Sequence, residues 1–153
     1  MHALGPRGGE FGQDGLDQSL IFVGAVGVGP VANQISAVAR AFAREGALVW
    51  VSGRRAAPVE SLAGEIHAAG GSAYAAEVDA LDEQAVSAHV DQVRAKCGRV
   101  DISFNAIGIP QAGIQGVPLT ALPLESFERP LATYARAHFL SARANLTGGI
   151  VAD

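Results

Sequence analysis

Cysteine and lysine are the scarcest reactive residues in this sequence, each with one representative among 153 positions, Cys97 and Lys96. A single cysteine excludes an internal disulfide and a metal site built from clustered cysteines, and it is typical of proteins in a reducing compartment. We therefore expect a cytoplasmic protein. His89 has no second metal-binding residue one helical turn away, so we predict a partly buried core histidine and no metal site.

Charge is also sparse, with 17% charged residues and a formal net charge of −4 at pH 7. The arginines are scattered rather than grouped, which argues against the basic patch that a nucleic-acid partner requires. No apolar run approaches the roughly twenty residues of a membrane-spanning helix. The sequence therefore predicts neither a nucleic-acid partner nor a membrane partner.

Length and composition predict one domain. The chain is 49% hydrophobic, and 153 residues are enough for one core but too few for two comfortable ones. The first eighteen residues carry five glycines, one proline and no apolar block. We expect a flexible leader at 1–18 and a single domain at 19–153.

The stretch 20–55 predicts a strand, a glycine turn, a helix and a second strand. An apolar run opens it, Gly27 and Gly29 follow, and apolar residues then recur at helical spacing as far as Gly46, a natural left-handed helix cap. Such a unit points the positive end of the helix at the turn, which makes a site for a pyrophosphate. The alternative is that the glycines only permit close packing of helix on sheet.

The second predicted strand ends in four residues that indicate which nicotinamide cofactor would bind: Ser52, Gly53, Arg54 and Arg55. An NAD site carries an acidic residue here for the ribose, whereas arginines fit a 2′-phosphate. The sequence therefore favours NADP(H) over NAD(H). The alternative is a pair of solvated arginines on a turn.

The rest of the chain alternates between helices and strands. Pro58 at a first helical position, Asp82 as an N-cap and Gly98 after a helix mark the boundaries. We predict, in order, a helix from Pro58 to Gly70, a strand at 72–78, a helix at 82–98, a strand at 100–105, a loop at 107–123, a short helical turn at 124–129, a helix from Pro130, and the start of a fifth strand at 150–152.

Strict alternation of strands and helices predicts an α/β fold, namely a Rossmann-type doubly wound parallel sheet in three αβα layers. We expect the strand order 3-2-1-4 and a sheet truncated after the start of strand 5. Ligands of such sheets bind beyond the carboxyl ends of the strands. Those ends are predicted at 27–29, 52–55, 78–79 and 105–108.

With these stretches in place, residues 20–144 resemble the N-terminal part of a short-chain dehydrogenase/reductase. The resemblance rests on the glycine turn followed, in order, by AREGALVWVSGRR, VDALDEQAV, GRVDISFNAIGI and RPLATYARAHFLSARA. It implies hydride transfer between a nicotinamide cofactor and a small carbonyl or alcohol substrate. The apolar surface that a truncated sheet exposes would favour a homo-oligomer.

The resemblance also implies roles for particular residues. Asp79 would accept a hydrogen bond from the adenine amino group, residues 105–108 would pack beside the adenine ribose, and Arg54 would select NADP(H). The alternative for Asp79 is an aspartate that forms a turn or caps a helix. The implied cofactor-binding residues are Gly27, Gly29, Asn33, Ile35, Ser52, Gly53, Arg54, Arg55, Val78, Asp79, Ala80, Asn105, Ala106, Ile107 and Gly108.

The glycine motif departs from the common TGxxxGxG form. That form would place its three glycines at Gly29, Asn33 and Ile35, so one of the three is present. The GxxxxxSxA form of the enoyl-reductase branch instead places Gly27 first, with Asn33 and Ile35 at the serine and alanine positions. Both registers remain open, and both put a bulkier turn near the pyrophosphate.

The family's catalytic residues have no counterparts in this chain. The serine that follows the fifth strand and the later YxxxK pair are absent, and neither Tyr74 nor Tyr134 has a lysine four residues on. Tyr134 stands where the family has a proton-relay asparagine. We therefore predict no catalytic residue and interpret the chain as the cofactor-binding half of an NADP(H)-dependent oxidoreductase. The alternatives are a catalytically silent dinucleotide-binding or redox-sensing module, and a structural remnant that pairs through its open sheet edge.

Overall fold

The computed structural model describes residues 20–26, 30–108 and 113–147, with side chains from Ser36 onward. The glycine turn at 27–29, the leader at 1–18 and the strand predicted at 150–152 lie outside the described residues. The elements are β1 (Leu20–Val26), α1 (Pro30–Arg44), β2 (Leu48–Gly53), α2 (Ala56–Ala68), β3 (Ser72–Glu77), α3 (Glu83–Cys97), β4 (Ile102–Ile107), a 3-10 turn (Leu119–Ala121) and α4 (Leu124–Leu146).

The four strands form one sheet in the order β3-β2-β1-β4, and every neighbouring pair is parallel. This confirms the predicted Rossmann-type sheet. Helices α1 and α2 pack on one face, around Val49 and Val51, while α3 and α4 pack on the other. All six residues of β2 are buried, because this strand has neighbours on both sides and helices on both faces.

The outer edge of β4 has no partner strand among the described residues. Ile102 and Phe104 are 38% and 39% exposed, and they share the sheet face of Val49 and Val51 through the register of β1. The helices of that face lie over β1, β2 and β3 and leave these two β4 side chains partly uncovered.

Three predicted boundaries are wrong. Helix α2 begins at Ala56, so Pro58 is its third residue; an N–H is dispensable throughout the first turn, which explains the tolerance. Strand β4 begins at Ile102 rather than at 100, because its pairing with Ile21 of β1 sets where the ladder starts. Helix α4 runs through Pro130 without the predicted break. Proline removes one N–H there, but its fixed φ is helical and the turns on both sides continue.

The α3 face of β2 holds the largest buried side chains. Trp50 is 2% exposed and packs with Leu48 and Val93, and its ring meets that of Tyr74 at 4.6 Å between centroids. The His89 ring stands edge-on to Trp50 at 5.8 Å. Cys97 packs against this cluster. As predicted, Asp82 caps α3, accepting from the backbone N–H groups of Gln84 and Ala85.

Burial lowers the pKa of His89 from 6.5 to about 4, because an apolar interior disfavours the imidazolium. Between pH 4 and pH 6.5 the His89 ring is neutral in the folded protein, whereas in the unfolded chain it binds a proton. Stability should therefore be intact above pH 6.5 and fall as the pH drops toward 4, by about 3 kcal/mol in total.

Urea unfolding of the wild type and of His89→Gln at several pH values between 4 and 7 tests this expectation. Carboxylates titrate equally in both proteins, so the difference between the two curves isolates His89. A pH dependence that survives unchanged in His89→Gln would contradict it.

Candidate functional site

The carboxyl ends of the four strands meet along one edge of the sheet. Strand register places Gly53 beside Glu77, and Val26 beside Ile107. Helix α1 starts at Pro30, so its N-terminus lies at the same edge. Asn33 and Ile35 belong to its first turns, whereas Gly27 and Gly29 lie outside the described residues.

The ends of β2 and β3 are joined by one further ladder bond, in which the backbone N–H of Val78 donates to the Gly53 carbonyl at 2.9 Å. Ser52, Gly53 and Val78 are buried. Arg54 and Arg55 follow at once and are exposed, and neither guanidinium has a hydrogen bond or ion pair within the described residues. This edge therefore presents two uncompensated positive charges to solvent.

Asp79 forms the turn after β3. One carboxylate oxygen accepts from the backbone N–H of Leu81 at 3.0 Å, and the Asp79 carbonyl accepts from the N–H of Asp82 at 3.0 Å. The turn-forming alternative therefore describes this residue's local role. The side chain is exposed, and its other oxygen has no partner in the described part of the chain, so that oxygen can still accept a hydrogen bond from a ligand.

The loop after β3 packs directly on the end of β4. Ala80 and Leu81 contact the pair formed by Ile107 and Ala137, which joins this loop to β4 and α4. Arg136 of α4 donates from Nε to the Leu81 carbonyl at 2.9 Å. The predicted stretches at 78–80 and 105–108 are thus brought together as one wall of the edge.

Asn105 turns its side chain into the interface between β4 and α4. Its Nδ2 donates to the Ala137 carbonyl at 3.2 Å and to Ser141 Oγ at 3.0 Å, while its Oδ1 accepts from the backbone N–H of Ile107 at 3.1 Å. Three of the amide's four hydrogen-bonding positions are therefore used within the protein. The residue fixes the position of the β4 end, and Ile107 and Gly108 carry the chain onward from there.

Sequence reasoning missed the α4 side of this arrangement. Asn145 donates to Ser103 Oγ at 3.1 Å, and Arg94 of α3 donates to the Ala144 and Asn145 carbonyls at 3.0 and 2.6 Å. Together with Ser141, which is 6% exposed, these side chains bond α4 to β4 and α3. The signal that could have found them is the four-residue spacing of Ser141 and Asn145 on an otherwise apolar helix face.

No side chain at the described edge is equipped as a general acid. Tyr134 is 46% exposed and stacks on His138, with 3.9 Å between ring centroids. Lys96 Nζ lies over the ring of Tyr74, 4.7 Å from its centroid, in the last turn of α3 and so toward the opposite edge of the sheet. Among the described residues, no group of three or more histidine, cysteine or acidic side chains could hold a metal ion, and no helix is long and apolar enough to cross a membrane.

The sequence matches the Enoyl-(Acyl carrier protein) reductase family over residues 33–150. The oxidoreductase YxbG of Bacillus subtilis is 34% identical over 107 residues, which are 70% of this chain and 38% of YxbG. The oxidoreductase EphD of Mycobacterium tuberculosis is 44% identical over 94 residues, which are 61% of this chain and 15% of EphD. The chain therefore spans well under half of these relatives.

Solved structures agree with the sequence matches. A short-chain dehydrogenase/reductase from Burkholderia xenovorans superposes with a TM-score of 0.73 at 30% identity, over 84% of this chain and 50% of that one. A metagenomic short-chain oxidoreductase in complex with NADP superposes with a TM-score of 0.65 at 25% identity, over 82% of this chain and 54% of that one.

A parallel sheet in this order, with a helix N-terminus at its carboxyl edge, defines a Rossmann-type protein. Within that class, the chain belongs to the short-chain dehydrogenase/reductase family, whose members bind NAD(P) and a small-molecule substrate.

Proposed function

We propose that this chain is the cofactor-binding half of an NADP(H)-dependent short-chain oxidoreductase, a protein that transfers hydride between nicotinamide and a carbonyl or alcohol. The observation that carries the proposal is the pair of exposed, unpartnered arginines at the end of β2. A 2′-phosphate would compensate both charges, and guanidinium groups bind phosphate through paired hydrogen bonds. When bound, the cofactor supplies the hydride.

The remaining strand ends complete the proposed site. Gly27, Gly29, Asn33 and Ile35 would line the pyrophosphate at the start of α1. The free carboxylate oxygen of Asp79 would accept from the adenine amino group, with Val78 and Ala80 beside it. Ser52, Gly53 and residues 105–108 would border the adenosine. The NADP in the metagenomic relative supports the choice of a phosphorylated cofactor.

We expect the purified chain to bind NADPH and not to oxidise it. Hydride transfer to a carbonyl needs a proton donor, and the printed sequence contains no YxxxK pair. General acid catalysis typically contributes about 10² to 10⁴ in rate. Fluorescence titration would measure binding, and nicotinamide absorbance in the presence of ketones and aldehydes would measure turnover.

The control is the double variant Tyr74→Phe with Tyr134→Phe. Turnover that disappears in this variant would show that a tyrosine of the chain acts as the acid, and the expectation would be wrong. Absence of NADPH binding would refute the proposed function itself. A silent dinucleotide-binding module would also bind NADPH without turnover. The DNA that follows codon 153 separates the two, because a serine codon followed by a YxxxK pair in any reading frame would indicate the cofactor-binding half of an enzyme.

We further propose that the chain forms a homo-oligomer in the cytoplasm. The support is the apolar surface of α4, where Leu124, Phe127, Leu131 and Phe139 are each at least 50% exposed, and the unpartnered edge of β4. Sedimentation should show dimers or larger species that Leu131→Glu converts toward monomers. A monomeric wild type would contradict this proposal and would also remove the alternative of a remnant that pairs through its edge.

A further inference from the structure

One turn of α4 holds both the loop after β3 and the end of β4. Arg136 donates from Nε to the Leu81 carbonyl at 2.9 Å. The next residue, Ala137, accepts from Asn105 Nδ2 at 3.2 Å. Two consecutive residues of α4 therefore attach to the two stretches that form one wall of the carboxyl edge, and Arg136 is the residue that reaches the β3 side.

The hydrogen bond from Arg136 acts on a single peptide group. The Leu81 carbonyl belongs to the peptide that joins Leu81 to Asp82, and the N–H of that same peptide donates to the Asp79 carbonyl at 3.0 Å. Because a peptide group is planar, a partner that fixes its oxygen also fixes the direction of its N–H. A charged donor at the oxygen polarises the group and strengthens the bond that the N–H makes. Arg136 thus steadies the main chain of Asp79 through one peptide.

The preceding peptide holds the side chain of Asp79. The N–H of Leu81 donates to Asp79 Oδ1 at 3.0 Å, which leaves Oδ2 for a ligand. Leu81 therefore joins two effects, since its N–H orients the carboxylate while its carbonyl is held by Arg136. Its side chain also packs with Ile107 and Ala137, so the loop is anchored by apolar as well as polar contacts.

We propose that Arg136 is a positioning residue that sets the preference of the cofactor site for adenine, acting through Leu81 on the Asp79 carboxylate. The inference rests on the proposed function, in which Asp79 accepts from the adenine amino group. That amino group is a hydrogen-bond donor, whereas hypoxanthine carries a carbonyl oxygen at the same position. A carboxylate held in one orientation accepts from the first group and repels the second, and a carboxylate that can turn away distinguishes them less well.

A second arginine of α4 provides a matched control. Arg143, about two turns after Arg136, forms an ion pair with Glu83 at the start of α3. It also ties α4 to the chain that follows β3, but its partner lies beyond the loop that holds Asp79. Loss of this ion pair measures what a looser contact between α4 and α3 does on its own.

The test is a fluorescence titration of the full chain with NADPH and with its hypoxanthine analogue. We expect the wild type to bind NADPH roughly 10- to 100-fold more tightly, the range of one charge-assisted hydrogen bond. Arg136→Met keeps the apolar stem without a donor, so it should weaken NADPH binding about fivefold and leave the analogue nearly unchanged. Arg136→Lys, still a charged donor, should restore most of the preference, and Arg143→Met should retain all of it.

Hydrogen exchange of the Asp82 amide is a second measurement, and it needs no cofactor. This N–H bonds to the Asp79 carbonyl and should exchange faster in Arg136→Met than in Arg143→Met. The inference alone would be overturned by unchanged exchange, by an unchanged preference for NADPH, by equal losses for the two dinucleotides in Arg136→Met, or by equal affinities in the wild type. A wild type that binds neither dinucleotide would refute the proposed function and this inference with it.

Discussion

Replacing Arg54 by aspartate is expected to weaken NADPH binding by roughly 10- to 100-fold and to leave NADH binding unchanged or improved. A charge-assisted hydrogen bond contributes about 1.5 to 3 kcal/mol, and the new carboxylate would repel the 2′-phosphate. In NADH the same carboxylate would lie beside the ribose hydroxyls and could accept hydrogen bonds from them. Fluorescence titration of both cofactors at fixed ionic strength measures the two affinities.

The matched control is Arg129→Asp, which changes the net charge equally on exposed α4. It separates a local contact from a long-range effect, because charges more than about 10 Å apart are largely screened at 0.1 M salt. The Arg54 side chain makes no hydrogen bond or ion pair in the described structure, so the variant should remain folded. Equal losses for NADPH and NADH would contradict a role in selecting the phosphate.

Replacing Asn105 by leucine is expected to lower the free energy of unfolding by about 2 to 4 kcal/mol. The branched shape and the number of side-chain heavy atoms are kept, but Ser141 Oγ loses its donor and the Ile107 N–H loses its acceptor. A polar group left unsatisfied in the interior costs about 1 to 3 kcal/mol. NADPH affinity should fall as well, because the end of β4 is no longer fixed against α4.

A double-mutant cycle with Ser141→Ala assigns the effect to the hydrogen bond. Removing both partners should cost less than the sum of the single changes, by about 1 kcal/mol. Asn145→Leu is the positional control: it breaks the bond to Ser103, farther from the carboxyl edge, and should reduce stability while sparing NADPH affinity. Equal losses of NADPH affinity in Asn105→Leu and Asn145→Leu would show that Asn105 has no special role at the edge.

Much of the fold could be predicted, because apolar runs alternate with amphipathic segments and few parallel topologies remain once crossovers must be right-handed. The boundaries of β4 could not be predicted in this way. Their position depends on which residue meets Ile21 across the sheet, and local propensity holds no information about that register. The continuity of α4 through Pro130 could not be predicted either, because proline has a low local helix propensity and only the helical turns on both sides of it keep the helix intact.

For the site, residue types at strand ends could be predicted, since parallel strands bring their carboxyl ends together regardless of detail. The direction of the Asn105 side chain could not, because its partner Ser141 lies 36 residues farther along the chain. Arg40 and Glu65 likewise belong to helices whose outward faces look solvated in sequence, and only the packing of α1 beside α2 brings them together as an ion pair.

The position of Trp50 determines which part of the structure the intrinsic tryptophan fluorescence of this protein monitors. It is the only tryptophan in the chain, and it is buried against α3 beside Tyr74. Intrinsic emission excited at the indole band therefore comes from one place, the middle of β2. Spectra recorded during unfolding follow the opening of the sheet on its α3 side, whereas α1 and α2, on the other side, contain no tryptophan and add nothing to this emission.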